Sequence, residues 1–181
     1  YNALYTQASD ADEITGNTGL GYAAGFHNVT GTNNTYVGMD AGSGASGQSN
    51  SYNTAVGHEA MKVVTTGGEN AALGASALAA LTDGTVNTAL GVRAGLVLTT
   101  GDGNVFVGKD AGDSAVGVNN TVIVGFDAAQ AALTTDADGT VAVGHEALNL
   151  LTSGIGNVAI GSGSLAALTT GLYNTALGTN A

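Results

Sequence analysis

Glycine recurs in register along almost the whole chain, at Gly21, Gly38, Gly57, Gly74, Gly91, Gly108, Gly125, Gly144, Gly161 and Gly178. Seven of the nine steps between them are 17 residues and two are 19. A fixed period of this size belongs to one short structural unit stacked on itself, each copy burying its apolar side against the next. The two longer steps, Gly38 to Gly57 and Gly125 to Gly144, predict loops that bulge from an otherwise regular rod.

The residues around each glycine give the unit its content. Four positions before it, Asn fills eight of ten places, among them Asn53, Asn70, Asn87 and Asn104, with Thr121 and Thr140 in the other two. Three before it the residue is Thr, Val or once Ala. Directly before it the column is aliphatic without exception, from Leu20 and Val37 to Ile160 and Leu177. Three after it stands Ala, broken only by Ser164. Positions two apart share one face of a strand, so the Thr/Val and aliphatic columns point the same way and the residue between them points oppositely. We read a strand of four or five residues per unit, with the aliphatic row facing inward. Asn suits the turn before it because its side chain bonds nearby backbone and tolerates positive φ, and stacked Asn side chains can bond from coil to coil.

The second half of the unit varies. Leu78 and Leu81, Leu148 and Leu151, and Leu165 and Leu168 stand three apart, as on one face of a short helical turn. Gly84, Gly154 and Gly171 follow where such a turn would end. Units such as Ala41-Gly42 and Ala111-Gly112 lack the pattern, so helical and extended segments both stay open. Glycine contributes 30 of 181 residues, which invites a disordered reading. With 44% hydrophobic and 9% charged residues, the chain is too apolar for one. The absence of proline means that no coil loses a ladder bond to it.

The expected fold is therefore all-β, a parallel β-solenoid or β-roll of about ten 17–19-residue coils with short helical turns in some. The repeat domain runs over 17–181, preceded by an irregular cap or linker at 1–16 that holds Tyr1 and Tyr5; Phe26 and His27 belong to the same irregular opening. Ten coils at ~4.8 Å make a rod roughly 45 Å long. So narrow a rod buries few side chains against its backbone entropy, and packing three around one axis would bury a second apolar face, which predicts a homotrimer.

The unit Asn-Thr-Ala-Val/Leu-Gly-x-x-Ala, clearest at Asn53 to Ala60, Asn87 to Ala94 and Asn174 to Ala181, resembles the head repeats of trimeric autotransporter adhesins and the repeats of related phage tail fibres. The resemblance covers the chain from about Asn17 onward. It implies a trimeric parallel β-roll, usually left-handed, acting as a stiff projecting head or shaft on a virion or cell surface. The period here is longer than is common in adhesin heads, which predicts a longer loop or an added helical turn per coil.

Charge narrows the partners. Three Lys and Arg stand against 14 Asp and Glu, for a net charge of −11 that repels nucleic acid and anionic membrane. No apolar stretch is long enough to span a bilayer, and Tyr1 opens no signal-peptide pattern. The chain starts without Met and stops as a unit closes, which we read as a segment of a longer, extracellular protein. With no Cys there is no disulfide and no thiolate metal site.

Candidate chemistry is sparse. His58-Glu59 and His145-Glu146 occupy equivalent positions, but the same column reads Met39-Asp40, Ala75-Ser76, Val92-Arg93, Lys109-Asp110 and Phe126-Asp127 elsewhere, as a variable, solvent-facing column does. Asp110, Asp127 and Glu146 stack on consecutive coils, where like charges ~5 Å apart repel unless a cation sits between them. Calcium is the cation those oxygens would suit, and the alternative is that they splay into water. Asp136-Ala137-Asp138-Gly139 lacks the rest of an EF-hand loop. Tyr22, Tyr36, Phe106 and Phe126 adjoin the strand, where they are expected to pack between protomers or, less directly, to contact a ligand. No catalytic residue and no bound cofactor is expected. The residues singled out are structural: Asn53, Asn70, Asn87, Asn104, Gly57, Gly74, Gly91, Gly108, Gly125, Gly144 and Gly161.

Three functions fit this reading. The first is a structural and adhesive fibre segment that carries a tip toward a cell-surface receptor or glycan, its own partner being itself. The second is a self-assembling filament, since open solenoid ends present unpaired strand edges. The third is ice binding through a flat Thr array, although that column turns to Val105, Val122, Val141 and Val158 in mid-chain. A pectin-cleaving solenoid enzyme would need a groove of clustered charges that Lys62, Arg93 and Lys109 cannot supply.

Overall fold

The computed structural model describes residues 3–5 and 15–181, and shows ten parallel strands in one sheet ordered along the chain. They are β1 (Thr18–Leu20), β2 (Thr35–Val37), β3 (Thr54–Val56), β4 (Ala71–Leu73), β5 (Thr88–Leu90), β6 (Val105–Val107), β7 (Val122–Val124), β8 (Val141–Val143), β9 (Val158–Ile160) and β10 (Thr175–Leu177). Each pairs column on column with the next, Thr88 with Val105 and Leu90 with Val107 for instance, so the sequence register and the structural register coincide. The architecture is a β-solenoid advancing one coil per period.

Each strand is three residues long, shorter than the sequence predicts, because the register glycine ends it. Those glycines adopt φ between 127 and 143°, a region essentially reserved for residues without a side chain. Packing adds a second reason. A Cβ on any register glycine from Gly21 to Gly161 would stand 2.3–2.6 Å from the carbonyl oxygen of the register glycine one coil on. The ladder thus marks a corner at which successive backbones touch directly.

On the other side of the strand the Asn column forms a buried chain of side-chain bonds. Asn87 donates from Nδ2 to Asn70 Oδ1 at 3.1 Å and to the Gly101 carbonyl at 2.8 Å. Its own Oδ1 accepts from the Asn104 backbone N–H at 3.0 Å and from Asn104 Nδ2 at 2.9 Å. The bond from backbone N–H to Oδ1 runs from Asn17 to Asn104, ends on Thr121 and resumes between Asn157 and Asn174, while at Asn53 the Nδ2 turns to Asn50 Oδ1 at 3.3 Å in place of Asn34. The Thr140 hydroxyl, at the interruption, is buried without a partner among the described residues. Asn87→Ala removes the buried acceptor of the Asn104 N–H and the side-chain donor to the Gly101 carbonyl on the following coil, groups worth ~1–3 kcal/mol each when unsatisfied, while Asn70 Oδ1 keeps the backbone N–H of residue 87. We expect a loss of about 3 kcal/mol in urea unfolding, against about 1 kcal/mol for Thr121→Ala, which ends a run and supports nothing beyond itself.

The Leu-x-x-Leu segments are turns, not helices. Leu81 N–H donates to the Leu78 carbonyl at 3.1 Å, closing one turn, but Leu78 has φ 49° and the helix cannot continue through it. The remaining amides bond the next coil, as Leu78 N–H does to Ala94 at 3.0 Å and Ala80 N–H to Leu96 at 3.0 Å. The only helical element among the described residues is the 3-10 turn Thr135–Ala137. It lies in one of the two 19-residue coils. In the other, His27 N–H reaches the Ser43 carbonyl while Gln48 N–H reaches back to the His27 carbonyl, so the extra residues loop out between Ser43 and Gln48.

The core is built from the middle residue of each strand, the Ala column, the residue seven after the register glycine, such as Val64, Leu81, Leu98 and Leu151, and the turn residue four after it. Volume is shared between the first and the last. Where the strand centre is Ala55, Ala72 or Ala142, the turn residue is Met61, Leu78 or Leu148, all fully buried. Where it is Tyr36 or Phe106, also fully buried, the turn residue of the same coil is Gly42 or Gly112. A Cβ on Gly112 would meet Phe106 at 2.5 Å, and one on Gly95, a coil earlier, would meet the same ring at 2.9 Å. Each aromatic fills the space of two turn side chains.

This packing corrects two expectations. Tyr36 and Phe106 lie inside their own coil and so cannot pack between protomers. The aliphatic column before the register glycine points outward: Leu20 is 66% exposed and Leu177 78%. The strand centres hold the core. Of the segment expected as a cap, residues 3–5 lie on the first coil: Leu4 N–H donates to Ala24 at 2.8 Å, and Tyr5 stacks on Phe26 at 5.3 Å between ring centroids. Tyr1 and most of 1–16 lie outside the described residues.

Candidate functional site: an exposed apolar sheet face

Because the strand centres turn inward, both flanking columns of all ten strands share one outer face. Of its twenty side chains fourteen are Val, Leu or Ile, five are Thr and one is Ala. Parallel pairing sets the columns ~4.8 Å apart along the rod, and residues two apart on a strand are ~6.6 Å apart across it. The face is therefore a regular lattice about 43 Å long. Across β3 to β5, Thr54, Val56, Leu73, Thr88 and Leu90 line a shallow trough of about 310 Å³.

Two corners bound this face. The first follows the register glycine and carries Tyr22, Met39, Val92 and Phe126 as exposed apolar residues. Lys109 Nζ lies 4.8 Å over the Phe126 ring, and His145 stacks on that ring at 5.5 Å, so three coils contribute to one row. His58 and His145 are exposed, as the variable column predicts. The second corner, five residues before the register glycine, exposes Tyr52, Val86 and Tyr173 at positive φ. Val86, at φ 59°, is the costliest of these conformations because its side chain branches at Cβ.

The residue two after the register glycine also takes positive φ, from Asp40 through Asp110 and Asp127 to Glu146. That explains the polar character of this column, since Asp and Asn tolerate the left-handed region better than other side chains. Asp110 is buried, bonded by Arg93 Nε at 2.5 Å and by Lys109 Nζ. Arg93 beside it, and Lys109, hold its carboxyl below the usual carboxylate range despite burial. Burial pushes the neighbouring Asp113 up, helped by the charge of Asp110. Lys62 bonds Glu59 at 2.6 Å, so the chain's three basic side chains are all engaged with carboxylates. Asp127 accepts from Gln130 Nε2 at 3.3 Å, and Glu146 lies 3.8 Å from His145 Nε2. Asp110, Asp127 and Glu146 thus occupy one column but turn to different partners. Among the described residues no three His, Cys, Asp or Glu side chains converge as a bound metal requires.

Two further ladders were not foreseen. Thr65, Thr82, Thr99 and Thr152 each donate a hydroxyl to a carbonyl one coil on, at 3.0 Å. At the surface Asp102 Oδ1 accepts from Thr85 N–H, Asn119 Oδ1 from Asp102 N–H and Asp138 Oδ1 from Asn119 N–H, at 2.7–2.9 Å. Their spacing of 17 or 19 residues was the available signal; the Thr column is interrupted at Val116, and the surface column changes residue type from Thr85 to Asp138. No helix among the described residues is long and apolar enough to cross a membrane. No protein-family model, curated protein or solved structure matches this chain.

Proposed function

We propose that this chain is a rigid segment of a structural or adhesive fibre, a shaft or head that projects from a virion or cell surface and works as a homotrimer. The observation that supports it is the exposed sheet face. Monomeric proteins rarely leave a contiguous apolar surface of several hundred Å² uncovered, and one this regular suits a second copy of the same lattice. The backbone-to-backbone glycine corner and the Asn chain make the rod stiff, as a spacer requires.

Sedimentation of the purified chain tests the proposal. We expect a discrete trimer, and expect Leu73→Glu/Leu90→Glu to dissociate it at least ~100-fold more readily with the circular dichroism of the rod unchanged, since each leucine buries ~1.5–3 kcal/mol of apolar contact. Open-ended polymers would support a filament subunit instead, and a monomer would overturn both. A second reading draws on Thr18, Thr35, Thr54, Thr88 and Thr175, which stand on the same face, as an ice-binding array would need. Thermal hysteresis from a monomeric chain would favour it.

A further inference from the structure

The Asn chain breaks at two coils, and the intact coils show which groups the break leaves without a partner. Where the chain is regular, one carboxamide serves two groups on the following coil: Asn87 accepts the Asn104 backbone N–H at Oδ1 and donates from Nδ2 to the Gly101 carbonyl. Across a 19-residue step the same two bonds run from Asn34 to the Asn53 N–H and the Asn50 carbonyl. Thr121 and Thr140 have no carboxamide to repeat them. Thr121 turns its hydroxyl back to Asn104 Oδ1 at 2.7 Å. Among the described residues nothing then accepts from the Thr140 N–H or donates to the Ala137 carbonyl, the two groups that a carboxamide at position 121 would serve. One coil on, the Thr140 hydroxyl and the Asn157 N–H also lack a partner, and Asn157 directs its Nδ2 to the Gly154 carbonyl at 2.8 Å instead of to the preceding coil. Ala137, Thr140 and Asn157 are all fully buried.

Buried backbone groups are almost always paired, and ordered water supplies the partner where the chain does not. We infer that the rod binds a pair of water molecules at this break, each in the place that a carboxamide takes in the regular coils. The first accepts from the Thr140 N–H and donates to the Ala137 carbonyl, with its second proton directed to the Thr121 hydroxyl oxygen. The second accepts from the Asn157 N–H and shares a bond with the Thr140 hydroxyl. Each water thus makes two or three hydrogen bonds, the number typical of a buried one. The register sets each group of partners around one position, because a single carboxamide reaches the equivalent groups in every intact coil. A bound anion fits less well, since it would bring a buried charge to a site with no basic side chain: Lys62, Arg93 and Lys109 are all engaged elsewhere. Gly139, directly before Thr140, is exposed, and a Cβ there would meet nothing within 4 Å, so the backbone beside the site is open to solvent. The site lies within one chain and stands independently of the fibre reading.

The sign of one substitution tests this. Thr140→Val keeps the shape of the side chain and removes its hydroxyl. With a water bound there, the change takes away one of the water's partners, and the unfolding equilibrium constant in urea is expected to rise roughly tenfold. With the hydroxyl dry and unpaired, the same change removes an unsatisfied group, and the constant falls; that result overturns the proposal. A crystal structure of the purified chain gives a second readout that does not depend on how the variant folds. It is expected to show one water oxygen within about 3.2 Å of the Thr140 nitrogen and the Ala137 carbonyl oxygen, and another within the same distance of the Asn157 nitrogen. Thr121→Asn should displace the first water alone, its carboxamide taking over both bonds, and leave the second in place. Protein atoms closing on the Thr140 and Asn157 N–H groups where the waters are expected would overturn the site, as would a Thr121→Asn carboxamide that leaves the first water where it was.

Discussion

Gly91→Ala is expected to cost at least about 5 kcal/mol, more than any single side-chain deletion in the core, although it adds only one methyl group. The new Cβ would stand 2.4 Å from the Gly108 carbonyl oxygen and 2.6 Å from its carbonyl carbon, both backbone atoms that no rotamer change can move. The backbone at φ 143° adds strain of its own. Gly178→Ala separates the two effects. It carries the same positive φ, at 131°, but its Cβ would meet nothing nearer than the Ala181 Cβ at 3.9 Å. Its cost should be the strain alone, ~1–3 kcal/mol. Because a solenoid's stability is a sum of coil and interface terms, Gly91→Ala should also split urea unfolding into two transitions, one for the coils on each side of the broken contact. Equal effects of the two substitutions would mean that coil-to-coil contact is not what the ladder conserves in this fold.

The second large effect lies in the core. Phe106→Ala should destabilise by about 4 kcal/mol, because the ring fills space over both Gly95 and Gly112. Gly112→Leu alone should also destabilise, since its side chain would run into the same ring. Combined, the two changes recreate the pattern of the coils that pair Ala72 with Leu78 and Ala142 with Leu148, whose leucines sit at the same positive φ that Gly112 adopts. The double variant should therefore recover most of the stability, with a coupling energy of about 2–3 kcal/mol. Additive losses in a urea double-mutant cycle would show that strand centre and turn do not share one volume.

The glycine period, the Asn column and the stacking of coils are legible without coordinates because each depends on residues one coil apart playing one role. The sheet's outer face is a different matter. Alternation places Thr54 and Val56 on the same side of β3 and Ala55 on the other, but cannot say which side is the interior. Hydrophobicity argued for the aliphatic row, and it argued wrongly. The signal lay in a compensation six residues apart, large Phe106 with Gly112 and small Ala72 with Leu78, which reads as variation until both positions are known to meet. The acidic column misled in the same way. Asp110, Asp127 and Glu146 align in sequence, yet their shared feature is a left-handed backbone, and each carboxylate finds a different partner.

The sequence by itself determined that this chain winds into parallel coils of 17 or 19 residues, where the coils touch, and which polar side chains can tie one to the next. Repetition carries that information, since any residue that must meet its own counterpart recurs at the coil spacing. Only the tertiary structure decided which face of the strands is buried, and hence that an apolar surface is left outside. That choice depends on whether the coil closes around the strand centres or around their flanks. The volume available inside one turn of the backbone sets it: room for an alanine and a leucine, or for a phenylalanine and a glycine, but not for two aliphatic side chains from every strand.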